Sequence, residues 1–192
     1  MLTVASSAIE LLRRLAGRVS DDALQGFRGY LGAGETSMMG DSLVGYLSRN
    51  AVPLTAAEHE LLTSVAVADP EELAEIPRAG KVSLAYEFDA GNDTPEPRET
   101  DDRLVRWVSR APHTRRLSRV YRRPVHTMAA GQATWVYLLE LAPEGELAAI
   151  QNQVPIGDAT HGVIEVYTTG ETLPQYHVEA LRAACAVWSR HT

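Results

Sequence analysis

The stretch that decides the fold is residues 133–141, Ala-Thr-Trp-Val-Tyr-Leu-Leu-Glu-Leu. β-Branched and aromatic residues dominate it, and turn-forming residues bound it on both sides, which is typical of a β-strand. The odd-numbered residues from Trp135 to Leu141 share one face of such a strand, and the opposite face is apolar except for Thr134 and Glu140. A strand that is apolar on nearly both faces belongs in the middle of a sheet. We therefore predict that the C-terminal half of the chain is built around it.

The sequence on either side of this strand predicts alternating strands and helices. Alternation of apolar and polar residues, helical periodicity and turn residues indicate these elements. They are a strand at 82–88, a helix from about residue 100, a strand at 115–128 that forms a hairpin with 133–141, a short helix at 142–153, a strand at 162–168 and a terminal helix from Pro174 that carries Cys185 and Trp188 inward. The resulting order β-α-β-β-α-β-α predicts an α+β fold with a ferredoxin-like, mainly antiparallel sheet.

The N-terminal part of the chain has a different periodicity. Thr55 and Glu58 have the spacing of a capping box, and Ser20 followed by acidic residues is a second helix start. Apolar residues recur at helical spacing up to about residue 76, and the connections are short. We predict a helical bundle over residues 1–78, followed by an α+β sheet domain over residues 79–192.

Composition limits the classes of protein that the chain can belong to. No apolar run approaches the roughly 20 residues of a membrane span, and the N-terminal basic pair follows the apolar stretch, opposite to a secretory signal. We therefore expect a cytoplasmic protein. Seventeen arginines against the single Lys81, with abundant alanine and glycine, indicate G+C-rich codon usage and a bacterial source. The one cysteine, Cys185, is expected to be a small buried hydrophobic residue.

The sequence contains no strong catalytic or cofactor motif. A P-loop, a dinucleotide-binding glycine pattern, a zinc-protease motif and a nucleophile elbow are all missing. None of the six histidines has the spacing of a preformed metal site, so we predict neither metal nor cofactor. His126 and His177 are the histidines to test first, because nearby tyrosines would orient them as acid–base groups.

Each of three predicted strands contains one glutamate: Glu87, Glu140 and Glu165. An unpaired carboxylate is costly to bury, so each must be exposed, paired or hydrogen-bonded. In one interpretation all three mark the solvent side of a sheet that is covered on one face. In the other they form an acidic sheet face, with Tyr137 and His126, that binds a basic partner segment or a ligand.

Charge is distributed unevenly along the chain, whose net charge is −7. Residues 1–102 have a balance of −10, whereas residues 103–123 contain eight arginines and no acidic residue. A basic segment with Trp107 and Tyr121 nearby allows a nucleic-acid interpretation. The acidic whole chain and its pI of about 5.4 disfavour that interpretation. We expect these arginines to pair with the chain's own acidic residues.

Two classes of function remain. A small acidic chain without catalytic motifs is typical of a non-enzymatic protein-interaction module, such as an inhibitor, an immunity-type protein or an adaptor of the bacterial cytoplasm. Such a module would bind a protein partner with a basic surface, since charge complementarity speeds association. The alternative is a small-molecule enzyme or ligand sensor that uses the sheet face.

Overall fold

A computed structural model describes residues 3–125, 130–155 and 162–190 of the chain. The chain forms two compact units, residues 1–84 and residues 85–192. The fold is mixed α+β, as predicted, and the described residues contain eight helices and a five-stranded sheet. None of the helices in those residues is both long enough and apolar enough to cross a membrane.

The first unit consists of helices in its described part. They are α1 (Val4–Arg14), α2 (Asp21–Gly32), α3 (Thr36–Arg49), α4 (Ala56–Val65) and α5 (Pro70–Ala74). The predicted capping box is present, because the Thr55 hydroxyl accepts from the Glu58 amide while the Glu58 carboxylate accepts from the Thr55 amide. Helix α1 packs against α4, and α2 packs against α3. Leu11, Leu43 and Leu62 are fully buried between them.

The second unit contains the sheet. Its elements are β1 (Tyr86–Asp89), α6 (Arg98–Val108), β2 (Thr114–Pro124), β3 (Thr134–Leu141), α7 (Leu147–Gln153), β4 (Val163–Thr168), α8 (Gln175–Ala183) and β5 (Cys185–Ser189). The strand order is β1-β2-β3-β4, and β5 also pairs with β2. Only β3 and β4 run parallel, and the remaining pairs are antiparallel. The predicted central strand therefore lies between β2 and β4.

The ferredoxin-like arrangement was predicted wrongly, although its order of element types was predicted correctly. In that arrangement, strands joined by a helix run parallel with another strand between them. Here β1 and β2, which α6 connects, are adjacent and antiparallel, whereas β3 and β4, which α7 connects, are adjacent and parallel. The hydrophobic pattern predicts that a segment forms a strand of a sheet, but it does not predict which strand lies beside it.

The C-terminus was also predicted wrongly. Helix α8 ends at Ala183, and residues Cys185–Ser189 form β5 instead of continuing the helix. Strand β1 pairs with the second half of β2, so the first half of the same β2 edge is open for β5. The hydrogen bonds available there override the helical propensity of the alanines around Cys185. As a consequence Cys185 is exposed and not buried.

The two faces of the sheet bury different residues. On one face, which we call the α8 face, Val120, Val136 and Leu138 pack with Ala180 of α8, and Phe88 lies against them. On the other face, which we call the α6 face, Trp135 lies at the loop before α6, and the Tyr137 hydroxyl donates to Asp101 of α6. Strand β3 is thus buried on both faces, as its sequence predicts.

The loop between β1 and α6 is fastened to the α6 face by Trp135. The Trp135 indole N–H donates to the carbonyl of Pro95 at 3.3 Å. Gly91 has a φ of +71° and lies so close to the ring that an added Cβ would meet it at 2.2 Å. Only glycine combines this backbone conformation with this proximity.

Candidate functional site

A buried histidine–glutamate pair lies beneath α8. Nε2 of His177 is 2.9 Å from Oε2 of Glu165 on β4, and the side chains are 0% and 1% exposed. Pro174 ends the preceding segment in an extended conformation, and α8 then turns Tyr176, His177 and Ala180 toward the sheet. Glu165 lies on the α8 face because it is paired in register with Leu138.

One hydrogen bond joins the two side chains, between Nε2 of His177 and Oε2 of Glu165. A carboxylate only accepts hydrogen bonds, so with Glu165 ionised Nε2 of His177 is the donor. Among the described residues, Nδ1 of His177 has no hydrogen-bond partner.

Arg122 is a fully buried cation on the same face of the sheet. Its Nη1 donates to the hydroxyl of Tyr176 at 3.1 Å, and its Nη2 donates to the carbonyl of Gln132 at 2.9 Å. Its guanidinium lies 4.5 Å from the centre of the Tyr86 ring. The Tyr86 hydroxyl donates to the carbonyl of Gly131 and accepts from its amide. Both terminal guanidinium nitrogens therefore donate to oxygen atoms, and the guanidinium packs on an aromatic ring.

These side chains form one continuous group, which we call the buried polar cluster. It consists of Tyr86, Arg122, Glu165, Tyr176 and His177. The Tyr176 ring links its two halves, since it lies 5.5 Å from the ring of His177 and its hydroxyl accepts from Arg122. The cluster holds α8 against β1, β2 and β4 through directional contacts.

The chemistry of the His177–Glu165 pair depends on its access to solvent. A histidine oriented by a carboxylate is a common general base. A general base must also reach the proton that it removes, and both side chains are sealed from solvent in this conformation. In this state the pair positions α8 and does not face a substrate.

Tyr137 lies on the opposite, α6 face. Its hydroxyl donates to Oδ1 of Asp101 at 2.8 Å, and Asp101 also forms an ion pair with Arg119. Burial raises the pKa of Tyr137 far above its ordinary value, and the nearby charges of Arg119 and Arg103 lower it only in part. Tyr137 is therefore a neutral hydrogen-bond donor that fastens α6.

The predicted site residues do not meet at one place. Glu87 is exposed on the α6 side of β1, because its neighbour Phe88 packs into the α8 face. Glu140 is half-buried on the α8 face, where it accepts from the Thr169 hydroxyl at 2.8 Å. Glu165 is buried, so neither one solvent-facing row nor one continuous acidic face is formed. His126 lies outside the described residues.

Sequence reasoning identified His177 through its tyrosine neighbour but missed Arg122. A signal for Arg122 was present: it stands two residues after Val120 on β2, and alternation assigns both to the same buried face. The arginine-rich composition of the segment concealed it. Within residues 103–123, Arg122 is the one buried arginine, and an exposed arginine follows it directly in the chain.

Comparisons with protein-family models, curated proteins and solved structures found no match to this chain. In the residues that the structure describes, no group of three or more histidine, cysteine or acidic side chains could hold a metal ion.

Tyr167, in the core of the α8 face, predicts how stability depends on alkaline pH. Burial, with Glu140 nearby, raises the pKa of this phenol from 10.0 to about 12, although Arg116 lowers it in part. The folded state thus favours the neutral phenol. Its contribution to stability is complete below pH 10 and is lost as the pH rises to about 12.

We expect the free energy of unfolding, measured by urea denaturation, to fall between pH 10 and about 12. Tyr167→Phe should make this decline shallower, because phenylalanine has no proton to lose. Tyr30→Phe, at a surface position, is the matched control and should leave the slope unchanged. An unchanged slope in Tyr167→Phe would contradict the assignment.

Proposed function

We propose that the chain is a non-enzymatic protein-interaction module of the inhibitor, immunity-type or adaptor class that acts in the bacterial cytoplasm and binds a partner with a basic surface. The observation that carries this proposal is a set of exposed carboxylates on β1, α6 and the loop between them. These are Glu87, Asp93, Glu99 and Asp102.

These four residues belong to what we call the acidic segment, residues 87–102. It contains seven acidic residues and one basic residue, Arg98. Three of the acidic residues are paired within the unit: Asp89 with Arg123 at 2.8 Å, Glu96 with Arg98 at 3.1 Å, and Asp101 with Arg119. The four exposed carboxylates have no ion pair with any described residue, so their charge faces solvent.

An exposed group of like charges supports binding more directly than the buried glutamates do. Like charges in proximity destabilise the compact state, and a basic partner would relieve this repulsion. The same field would steer a basic partner toward the segment and speed association at low salt. The fastening of the loop by Trp135 supports a preformed surface, which lowers the ordering cost of binding.

A small-molecule enzyme or sensor is the second candidate, and the His177–Glu165 pair favours it by its geometry. It requires α8 to move away from the sheet so that a ligand reaches the imidazole. His177→Gln separates the two candidates, because it would abolish turnover in the enzyme and leave partner binding intact in the interaction module.

The test of the interaction proposal is reversal of charge in the acidic segment. Binding of a fluorescein-labelled oligoarginine peptide, followed by anisotropy, reports on the surface itself. Glu87→Lys with Asp102→Lys should weaken binding by about tenfold or more, and binding should fall steeply with salt. Glu60→Lys with Glu72→Lys, at exposed positions in the first unit, introduces the same charge change and is the matched control.

The control variant should change the affinity by less than about twofold, because its two substitutions lie outside the acidic segment. Circular dichroism verifies that all variants are folded. The affinity for a protein partner isolated from the native host would then be measured with the same two double variants. Equal losses in the two variants, or binding that ignores salt, would overturn the assignment of the acidic segment.

A further inference from the structure

The eight arginines of residues 103–123 divide into two groups in the structure. Arg122 is buried in the polar cluster. Arg119 and Arg123 form ion pairs with acidic residues of the same unit, and Arg103 lies close enough to Tyr137 to lower its pKa. The expectation that these arginines pair within the chain is met for Arg119 and Arg123. The other group consists of four exposed residues, Arg106, Arg110, Arg115 and Arg116.

These four exposed arginines lie along the connection from the end of α6 to the start of β2, which we call the basic corner. The end of α6, the start of β2 and the end of β5 meet there. The Thr114 hydroxyl donates to the carbonyls of Val108 at 2.8 Å and Ala111 at 3.0 Å. Arg190, which follows β5, donates to the carbonyls of Ala111 and Thr114, both at 3.0 Å, and its amide donates to Arg115. The corner is thus a rigid part of the fold.

Local electrostatics accounts for part of this arrangement. Arg106 and Arg110, at and just beyond the last turn of α6, are favoured by the helix dipole. That effect does not extend to Arg115 and Arg116, which are exposed on a strand. None of the four arginines of the basic corner forms an ion pair with a described residue.

Asp102, one helical turn before Arg106, forms no ion pair with a described residue, and two further carboxylates near the basic corner are engaged with other groups. Glu144 lies 3.9 Å from His113, and Glu140, in register opposite Arg116, accepts from Thr169. Clustered like charges without a counter-charge lower stability, and an external anion would offset that cost.

We propose that the basic corner binds an acidic segment of a protein partner. Guanidinium groups form bidentate, charge-assisted hydrogen bonds with carboxylates, and four exposed ones between residues 106 and 116 offer several acidic side chains of one short segment a partner. This surface shares no residue with the acidic segment. Either of the two proposals can therefore be contradicted without contradicting the other.

The charge of the rest of the chain favours a peptide over a nucleic acid. The chain carries a net charge of −7, Asp101 and Asp102 precede the corner in sequence, and Glu140 lies opposite Arg116 in the β2–β3 pair. A polyphosphate that runs past the corner would meet this surrounding negative field. A short acidic segment would contact the corner alone, where the local potential is positive.

The experiment compares two labelled probes by fluorescence anisotropy with the full chain: a short oligoglutamate peptide and a single-stranded oligothymidylate of equal charge. The test variant is Arg110→Gln with Arg115→Gln and Arg116→Gln. The control variant is Arg49→Gln with Arg98→Gln and Arg182→Gln, which removes the same charge from exposed positions elsewhere. Circular dichroism verifies that both variants are folded.

We expect the test variant to lose about tenfold or more in affinity for oligoglutamate, the control variant to lose less than about twofold, and the parent to bind oligothymidylate more weakly than oligoglutamate. Equal losses in the two variants would show that net charge, and not the corner, determines binding. Tighter binding of oligothymidylate would make the corner a nucleic-acid surface. No saturable binding of oligoglutamate at low salt would also overturn the proposal.

Discussion

Replacing Glu165 with alanine is expected to lower the free energy of unfolding by about 3–5 kcal/mol. The carboxylate is 1% exposed and accepts from Nε2 of a fully buried His177 at 2.9 Å. Its removal leaves the imidazole N–H in the core without this acceptor and opens a cavity beneath α8. Urea denaturation at neutral pH measures the loss.

A matched control is available on the same helix. Glu179 forms an exposed i,i+3 pair with Arg182, and Glu179→Ala should change stability by no more than about 0.5 kcal/mol. Hydrogen exchange would locate the effect, because amides of α8 should lose protection first in Glu165→Ala. Equal stability of the two alanine variants would show that the buried pair does not fasten α8.

A double-mutant cycle separates the contribution of the pair from that of the cavity. Glu165→Gln keeps the volume and an acceptor oxygen, and His177→Gln removes the imidazole. If the two groups act as a unit, the sum of the single losses should exceed the loss of the double variant by about 0.5–3 kcal/mol. Additive losses would show that packing alone, and not an interaction between the two side chains, accounts for the loss of stability.

The local sequence predicted for most segments whether they form a helix or a strand. It did not predict which strands lie next to one another in the sheet. Strand β3 could be predicted because its residues are apolar on both faces over a whole strand length. Strand β5 could not, since Cys185–Ser189 has helical neighbours and forms a strand only where the edge of β2 is open. The pairing partner of a short segment is a property of the tertiary structure.

The candidate site was predictable residue by residue but not as a group. Alternation assigns Glu87 and Phe88 to opposite faces within β1, but it does not specify which of those faces matches the face of Glu165 in β4. That relation depends on the register across β2 and β3. The expected acidic face placed Glu87, Glu140 and Glu165 on one side, and the observed register separates Glu87 from the other two.

The charged segments were easier to recognise in the sequence than the buried polar cluster was. The acidic segment and the basic corner are both continuous in sequence or nearly so, and the structure leaves part of each exposed. The buried polar cluster draws on β1, β2, β4 and α8, which are up to 91 residues apart between Tyr86 and His177. A cluster assembled from such distant parts has no local signature in the sequence.

Replacing Trp135 with alanine is expected to cost about 3–5 kcal/mol of stability and to release the loop before α6. The indole is 8% exposed, lies 5.2 Å from the ring of Tyr121, and donates to the carbonyl of Pro95. Its truncation therefore removes the packing surface of Gly91 as well as part of the core. The loss would be measured by urea denaturation.

Two substitutions serve as controls. Trp135→Phe keeps an aromatic ring and loses only the indole N–H and part of the volume, so it should cost less than Trp135→Ala. Trp188→Ala removes an indole of the same size from the half-exposed edge strand β5 and should also cost less, because less apolar surface leaves the core.

Limited proteolysis distinguishes release of the loop before α6 from a general loss of stability. In Trp135→Ala, cleavage within residues 90–97 should precede cleavage of the sheet, since the loop loses the Pro95 hydrogen bond while β1 and α6 remain anchored through Asp89 and Asp101. Trp188→Ala should leave that loop as resistant as it is in the parent. If the loop of Trp135→Ala were cleaved no earlier than that of Trp188→Ala, the indole would not be what fastens the acidic segment to the sheet.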